Sequence, residues 1–280
     1  MRIAASKIAA SKIAFLGGGN MARALIGGLL AKGYDRGAIS VIEVLPAARE
    51  RLAAEHKIHL SAAPDSHTQS ADVLVLATKP QDLKPALGPL TGKVGEKLVI
   101  SIAAGVRVDA LSRWLGGHRK LVRCMPNTPS LIGAGIAALY ALPEVNPEER
   151  QKAETILRAV GEVVWVGEER LLDPVTALSA SGPAYVFWFI EQLAASGEKL
   201  GLERQTSLKL AMQMVLGSAK LAAQSADPPG ELRRQVTSRG GTTEAALKVF
   251  EQEKLAEKIL KALEAASRRG AELGDELGKG

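Results

Sequence analysis

Residues 13–22 read Ile13-Ala14-Phe15-Leu16-Gly17-Gly18-Gly19-Asn20-Met21-Ala22, and this stretch decides the fold. Four apolar residues make a short buried strand that stops at Gly17. From Met21 to Lys32 the apolar positions Ala24, Leu25 and Leu29 recur at helical spacing, and Gly33 closes the helix. The junction satisfies the pattern G-x-G-x-x-G/A. Gly17 allows the tight turn, Gly19 lets the backbone approach a pyrophosphate, and Ala22 permits close packing of helix on strand. The helix start adds N–H groups and a partial positive charge suited to phosphates. A glycine turn occurs in many α/β chains. Its place at the first strand–helix junction of an alternating chain points to dinucleotide binding.

The alternation continues outward from there. Apolar runs at 38–44, 72–78, 97–102, 120–124, 135–140 and 163–166 read as strands, and helical patterns fall at 47–56, 81–87, 108–115 and 147–160. The runs are continuous rather than alternating, as strands buried on both faces require. This predicts a mostly parallel sheet with helices on both faces. After Val166 the strand patterns stop, and from Pro174 only helical patterns remain. The boundary is therefore expected at residues 167–173, giving an α/β domain over 12–170 and an all-α domain over 171–280. Residues 1–11 carry most of a doubled IAASK, lack a continuous apolar segment and read as a ragged start rather than a signal peptide.

The net charge of +6 sits wholly in the first half: residues 1–170 hold 22 Lys/Arg and 16 Asp/Glu, and 171–280 hold 14 of each. Aromatics make up 4% of the chain and no run of five like charges occurs, so the basic half suits a phosphate-bearing small molecule and not nucleic acid. No apolar stretch approaches the ~20 residues that span a bilayer. The single cysteine, Cys124, excludes an intrachain disulfide and fits a reducing, cytoplasmic setting. In the helical half, residues 185–193 (YVFWFIEQL) and 208–221 (LKLAMQMVLGSAKL) are apolar around most of their circumference. Two such helices in a domain of this size are expected to be buried against a second subunit.

Glu43 stands at the end of the second strand, where an acidic side chain accepts hydrogen bonds from the adenosine ribose. A carboxylate there favours NADH, whereas Arg49 nearby could serve the 2′-phosphate of NADPH, and the sequence leaves both open. Thr78-Lys79-Pro80-Gln81, Ala103-Ala104-Gly105 and Cys124-Met125-Pro126-Asn127-Thr128-Pro129 each follow a strand, at the edge where open α/β sheets bind ligands. Each is equally well explained as turn chemistry. In 236–245, Val-Thr-Ser-Arg-Gly-Gly-Thr-Thr-Glu-Ala, two glycines and two threonines precede a helix. Such a start suits a substrate carboxylate, or is an ordinary capped helix. The four histidines, His56, His59, His67 and His118, are scattered in the first half without metal-ligand spacing, so no metal is expected. With none in the helical half, a histidine acid there is excluded.

Several motifs together resemble the pyrroline-5-carboxylate reductase family. They are FLGGGNMARAL (15–25), ATKPQ (77–81), RCMPNTP (123–129), LSASGPAYVF (178–187) and, most specific, PGELRRQVTSRGGTTEAAL (229–247). The resemblance runs from Lys12 to about Leu273. It implies a Rossmann domain followed by a helical dimerisation domain, and an NADPH- or NADH-dependent reduction of Δ1-pyrroline-5-carboxylate to L-proline. It also implies a homodimer or a larger assembly of dimers. By resemblance, Gly17, Gly19, Asn20, Met21 and Ala22 form the cofactor loop, and Thr78, Lys79 and Pro80 line the nicotinamide side; Ala103, in the motif after the next strand, is a further cofactor-binding candidate by its place. Ser238, Gly240, Gly241, Thr242 and Thr243 hold the substrate carboxylate, and Thr243 hydrogen-bonds the imine nitrogen. Ala180 and Arg239 depart from the family pattern, standing where many relatives have glycine and proline. A hydroxyacid dehydrogenase and a non-catalytic nicotinamide sensor are the competing readings. The first would place a lysine or histidine base on the helical domain, where Lys199, Lys209 and Lys220 are candidates by type only and histidine is missing, and the second does not need the Ser238–Thr243 motif.

Overall fold

In the computed structural model, which describes residues 11–279, strands β1 (Ile13–Leu16), β2 (Ile39–Ile42), β3 (His59–Ser61), β4 (Val73–Leu76), β5 (Leu98–Ser101), β6 (Leu121–Met125), β7 (Gly135–Ala141) and β8 (Gly161–Trp165) form one sheet. Their order is β3-β2-β1-β4-β5-β6-β7-β8. Neighbours are parallel except β6 and β7, which run antiparallel. The expected ragged start lies, apart from Ser11, outside the described residues.

The continuous apolar runs divide between two cores because successive side chains point to opposite faces. Ile13 and Phe15 of β1, Val73 and Val75 of β4, and Leu98 and Ile100 of β5 face one cluster. Ala14, Leu16, Leu74, Leu76 and Val99 face the other. Helices α1 (Asn20–Ala31), α2 (Pro46–His56) and, after α3 (Ser66–Ser70), α4 (Pro80–Leu87) and α5 (Val108–Trp114), also α6 (Pro147–Leu157) cover the sheet. Leu25 and Ile26 of α1, Leu52 of α2 and Ile156 of α6 close the first cluster. Leu83 and Leu87 of α4 and Leu111 of α5 close the second. The sheet is thus a Rossmann-type layer with helices on both faces, as the alternation implied. Two short elements escaped the sequence reading. β3 is three half-buried residues at the sheet edge, and α3 is a five-residue turn of helix without an apolar stripe.

The chain forms two compact units: one runs to Ala180 and resumes at Ala266, and the other is Ser181–Ala265. The first unit therefore extends past the expected boundary at 170/171. Buried Arg123 of β6 explains this. It pairs with Glu169 (Nη1 to Oε1, 2.9 Å) and faces Asp173 at 3.9 Å. Leu172, in the short helix α7 (Leu172–Val175), is fully buried.

The second unit holds α8 (Gly182–Lys199), α9 (Arg204–Gln224), α10 (Pro229–Gln235), α11 (Thr242–Gln252) and the start of α12 (Leu255–Gly278). Its large apolar side chains are turned outward. Phe187 is 62% and Trp188 60% exposed, and Leu210, Met212, Leu216, Phe250 and Leu260 are exposed as well. No helix among the described residues is long and apolar enough to cross a membrane.

Candidate active site

One candidate site lies on the C-terminal edge of the parallel strands. Gly17 ends β1 with φ +98°, a left-handed conformation that favours glycine, and a Cβ there would lie 3.0 Å from the Ala77 carbonyl. Its N–H donates to the Ile42 carbonyl at 2.8 Å, which ties the loop to the end of β2. Gly19 is the N-cap of α1 and provides no side-chain cap, so the first-turn N–H groups of this twelve-residue helix face outward. Around Gly19 the space is open: a Cβ would come no nearer than 3.9 Å to another residue's atom. Asn20 is exposed, Met21 half-buried and Ala22 buried against the first core.

Beyond β4 the hydroxyl of Thr78 is buried and has no hydrogen-bond partner in the protein. A buried polar atom without a partner is costly, so this one is suited to a ligand. Lys79 caps α4 from an exposed position, and Pro80 opens it at N1. Past β5, Ala103 is buried, with its N–H 3.3 Å from the Ser101 hydroxyl. A pyrophosphate fits this edge: open space at Gly19, free N–H groups on α1 and an orphaned hydroxyl beside them. Gly17, Gly19, Asn20, Met21, Ala22, Glu43, Thr78, Lys79, Pro80 and Ala103 all lie in the first unit, around adjoining strand ends.

The loop after β6 is a structural stitch. Asn127 accepts the Ile136 N–H (3.0 Å) and donates to the Ser179 hydroxyl (3.2 Å), joining β6, β7 and the turn that closes the first unit. Cys124, ahead of it, is fully buried, and burial pushes its thiol far above the ordinary range, which removes it as a nucleophile.

A separate candidate site lies in the helical unit. Gly240 has φ +72°, and Gly241 is the N-cap of α11 without a side-chain cap. The Gly241 N–H closes a turn on the Ser238 carbonyl (3.0 Å). Ser238, Thr242 and Thr243 gather around this helix start, the first two exposed and Thr243 half-buried. Glu244, which the sequence reading passed over, folds back: its Oε2 accepts the Gly240 N–H at 2.7 Å. That hydrogen bond, with the Lys248 charge behind it, holds the Glu244 carboxyl below its usual range. A glutamate four residues after a left-handed glycine was the available signal.

The histidines are less scattered than expected. His59 and His67 stack with ring centroids 3.6 Å apart and planes inclined by 16°, and His59 Nε2 lies 2.6 Å from Asp65 Oδ2. Rings so nearly parallel cannot both aim an in-plane lone pair at one ion. The other Asp65 oxygen caps α3 through the N–H groups of His67 and Thr68. As placed, the cluster is a helix cap with a ring stack on it.

Comparison with known proteins agrees with this division. The family described as "Pyrroline-5-carboxylate reductase dimerisation" matches residues 169–273, and "NADP oxidoreductase coenzyme F420-dependent" matches residues 12–105. Pyrroline-5-carboxylate reductase of Pseudomonas aeruginosa is 43% identical, covering 96% of this chain and 98% of that one. The Synechocystis protein of that name is 41% identical over 94% and 98%. The solved pyrroline-5-carboxylate reductase of Coxiella burnetii superposes with a TM-score of 0.90 at 42% identity, covering 94% and 98%. The Plasmodium falciparum pyrroline carboxylate reductase, solved with NADP bound, gives 0.82 at 28% identity over 95% and 98%. By sequence over nearly its whole length, and by fold, the chain belongs to the pyrroline-5-carboxylate reductase family.

Proposed function

We propose that this protein reduces Δ1-pyrroline-5-carboxylate to L-proline, the last step of proline biosynthesis, using a reduced nicotinamide dinucleotide. The observation that carries the reading is a pair of glycine-capped helix starts, Gly19 on α1 and Gly241 on α11, both without a side-chain cap. One suits the pyrophosphate of a dinucleotide and the other a substrate carboxylate. The relatives' names and the NADP held by the Plasmodium protein support the same assignment.

Reduced nicotinamide, when bound, supplies the hydride that the imine carbon accepts. The chain's own residues do the rest. N–H groups of residues 19–22, at the start of α1, hold the pyrophosphate, and the Thr78 hydroxyl finds a partner in the bound molecule. Ser238, Gly240, Gly241 and Thr242 hold the substrate carboxylate, which orients the ring. The Thr243 hydroxyl donates to the ring nitrogen, where negative charge would otherwise build up, and assists its protonation directly or through a water. Positioning accounts for much of the acceleration. The outward apolar faces of α8 and α9 are covered in a homodimer, since soluble monomers rarely leave so much contiguous apolar surface in water.

The test is the loss of reduced-nicotinamide absorbance when the purified protein meets pyrroline-5-carboxylate. Rapid substrate-dependent loss is expected. Binding of the dinucleotide with no turnover would replace this reading with that of a sensor.

A further inference from the structure

Glu43 is the first residue beyond β2, and four hydrogen bonds fasten it. Its Oε2 accepts the Gly18 N–H at 2.8 Å and its Oε1 the Leu45 N–H at 2.9 Å. Its own N–H donates to the Ser61 carbonyl at 2.9 Å, and Arg49 Nη1 donates to its carbonyl at 2.6 Å. Gly18 is the middle residue of the glycine loop. A Cβ built there would stand 3.3 Å from Glu43 Oε2, so the carboxylate lies directly against that loop. A fixed negative charge therefore borders the loop on the side toward the end of β2.

In a doubly wound sheet, a dinucleotide with its pyrophosphate at the first helix start lays its adenosine ribose at the end of the second strand. A carboxylate has about four lone-pair sites. Two are taken by backbone N–H groups, and the two left over match the two hydroxyls of an unphosphorylated ribose. A 2′-phosphate would bring like charge against a group that two backbone donors keep from swinging away. Arg49 is the cation that could have answered such a phosphate. One of its N–H groups is engaged on the Glu43 carbonyl, so it fastens the residue that carries the opposing charge.

We propose that Glu43 is a specificity-determining residue that selects NADH over NADPH, with Arg49 as its positioning residue. This rests on the dinucleotide reading of the glycine loop given above.

The experiment compares NADH and NADPH on the intact protein in two ways. One is equilibrium binding without substrate, read by the enhancement of nicotinamide fluorescence. The other is kcat/KM with pyrroline-5-carboxylate. The wild type is expected to bind NADH roughly tenfold or more tightly than NADPH. Glu43→Ser is expected to move that ratio toward NADPH by about 100-fold, the scale of a like-charge contact removed. Glu43→Gln, which keeps the size and one acceptor, is expected to move it in the same direction by less. Arg49→Gln is expected to narrow the NADH preference a few-fold without reversing it, and an unchanged ratio there removes Arg49 as the positioning residue. Equal or tighter wild-type binding of NADPH overturns the proposal and leaves the dinucleotide reading standing, as does an unchanged ratio in both folded Glu43 variants. Binding of neither dinucleotide overturns both.

Discussion

The sheet unit and the helical unit are both rich in apolar residues, but they put them to opposite use. In the first, Phe15, Val75, Leu76 and Ile100 are buried to the last atom, on one face or the other of a sheet covered twice. In the second, Phe187, Trp188 and Leu210 lie on helices that the chain itself leaves bare. A strand buried on both faces completes its packing inside one chain, whereas a helix apolar all round needs a covering surface from elsewhere. The contrast separates residues that hold the fold from residues that the fold of the single chain does not use.

The largest effect is expected at the one charge buried in the sheet. Arg123→Leu leaves Glu169 and Asp173 facing an apolar pocket, and chemical denaturation should record a loss of about 3–5 kcal/mol. An unchanged midpoint would mean that the sheet unit does not depend on this ion pair. In the helical unit, Trp188→Glu is expected to leave the fold intact and weaken self-association about 30-fold or more, as loss of an interface anchor does. Sedimentation across a dilution series reads this. A global unfolding instead would place Trp188 with the core residues and erase the contrast.

A smaller effect is expected at the loop that opens α11. Thr243→Ala should lower kcat/KM about 10–100-fold, the scale of one acid–base contact, with the denaturation midpoint unmoved. Unchanged kinetics would remove Thr243 from the reaction. The smallest concerns Glu244, whose carboxyl the Gly240 N–H and then Lys248 hold below its ordinary value. A carboxylate lowered on folding contributes fully above its unfolded value, near 4.3, and loses that contribution as the pH falls through the lowered one. The loop should therefore hold at neutral pH and loosen only in acid. Glu244→Gln is expected to raise the KM for pyrroline-5-carboxylate about twofold at neutral pH and to flatten its acid dependence. A KM that tracks pH identically in both proteins would uncouple Glu244 from the loop.

Much of the sheet is legible because burial on both faces writes itself as near-continuous apolar runs: β1 and β4 are apolar throughout, and β2, β5 and β6 are broken only at Ser40, Ser101 and Arg123. β3 is not, since His59, Leu60 and Ser61 are only half-buried and pair along one edge. The place where the first unit ends was hidden for another reason. Arg123, Glu169 and Asp173 are far apart in sequence, and nothing local says that a charge in a strand will claim two carboxylates more than forty residues on. At the candidate site the glycine pattern announces the loop, and the acid at the end of β2, Glu43, stands out with it. What no pattern displayed was how Glu43 is tied down, because backbone N–H groups leave no mark in a sequence. Asn127 shows the reverse: its motif was conspicuous, and its side chain serves as a stitch.

The segment from Ala266 onward belongs to the unit that the chain left at Ala180. There Leu277 packs on the second core, Asp275 pairs with Arg107 at 2.9 Å, and the Gly278 carbonyl accepts from Arg113 at 2.9 Å. In genetic terms the helical unit is an insertion inside the nucleotide-binding one. A ribosome that has released the whole sheet has still not released everything that seals it. Cutting the gene after β8 would yield a sheet with one seam open beside Gly105, so a self-standing binding module is better engineered by looping out residues 181–265 than by truncation.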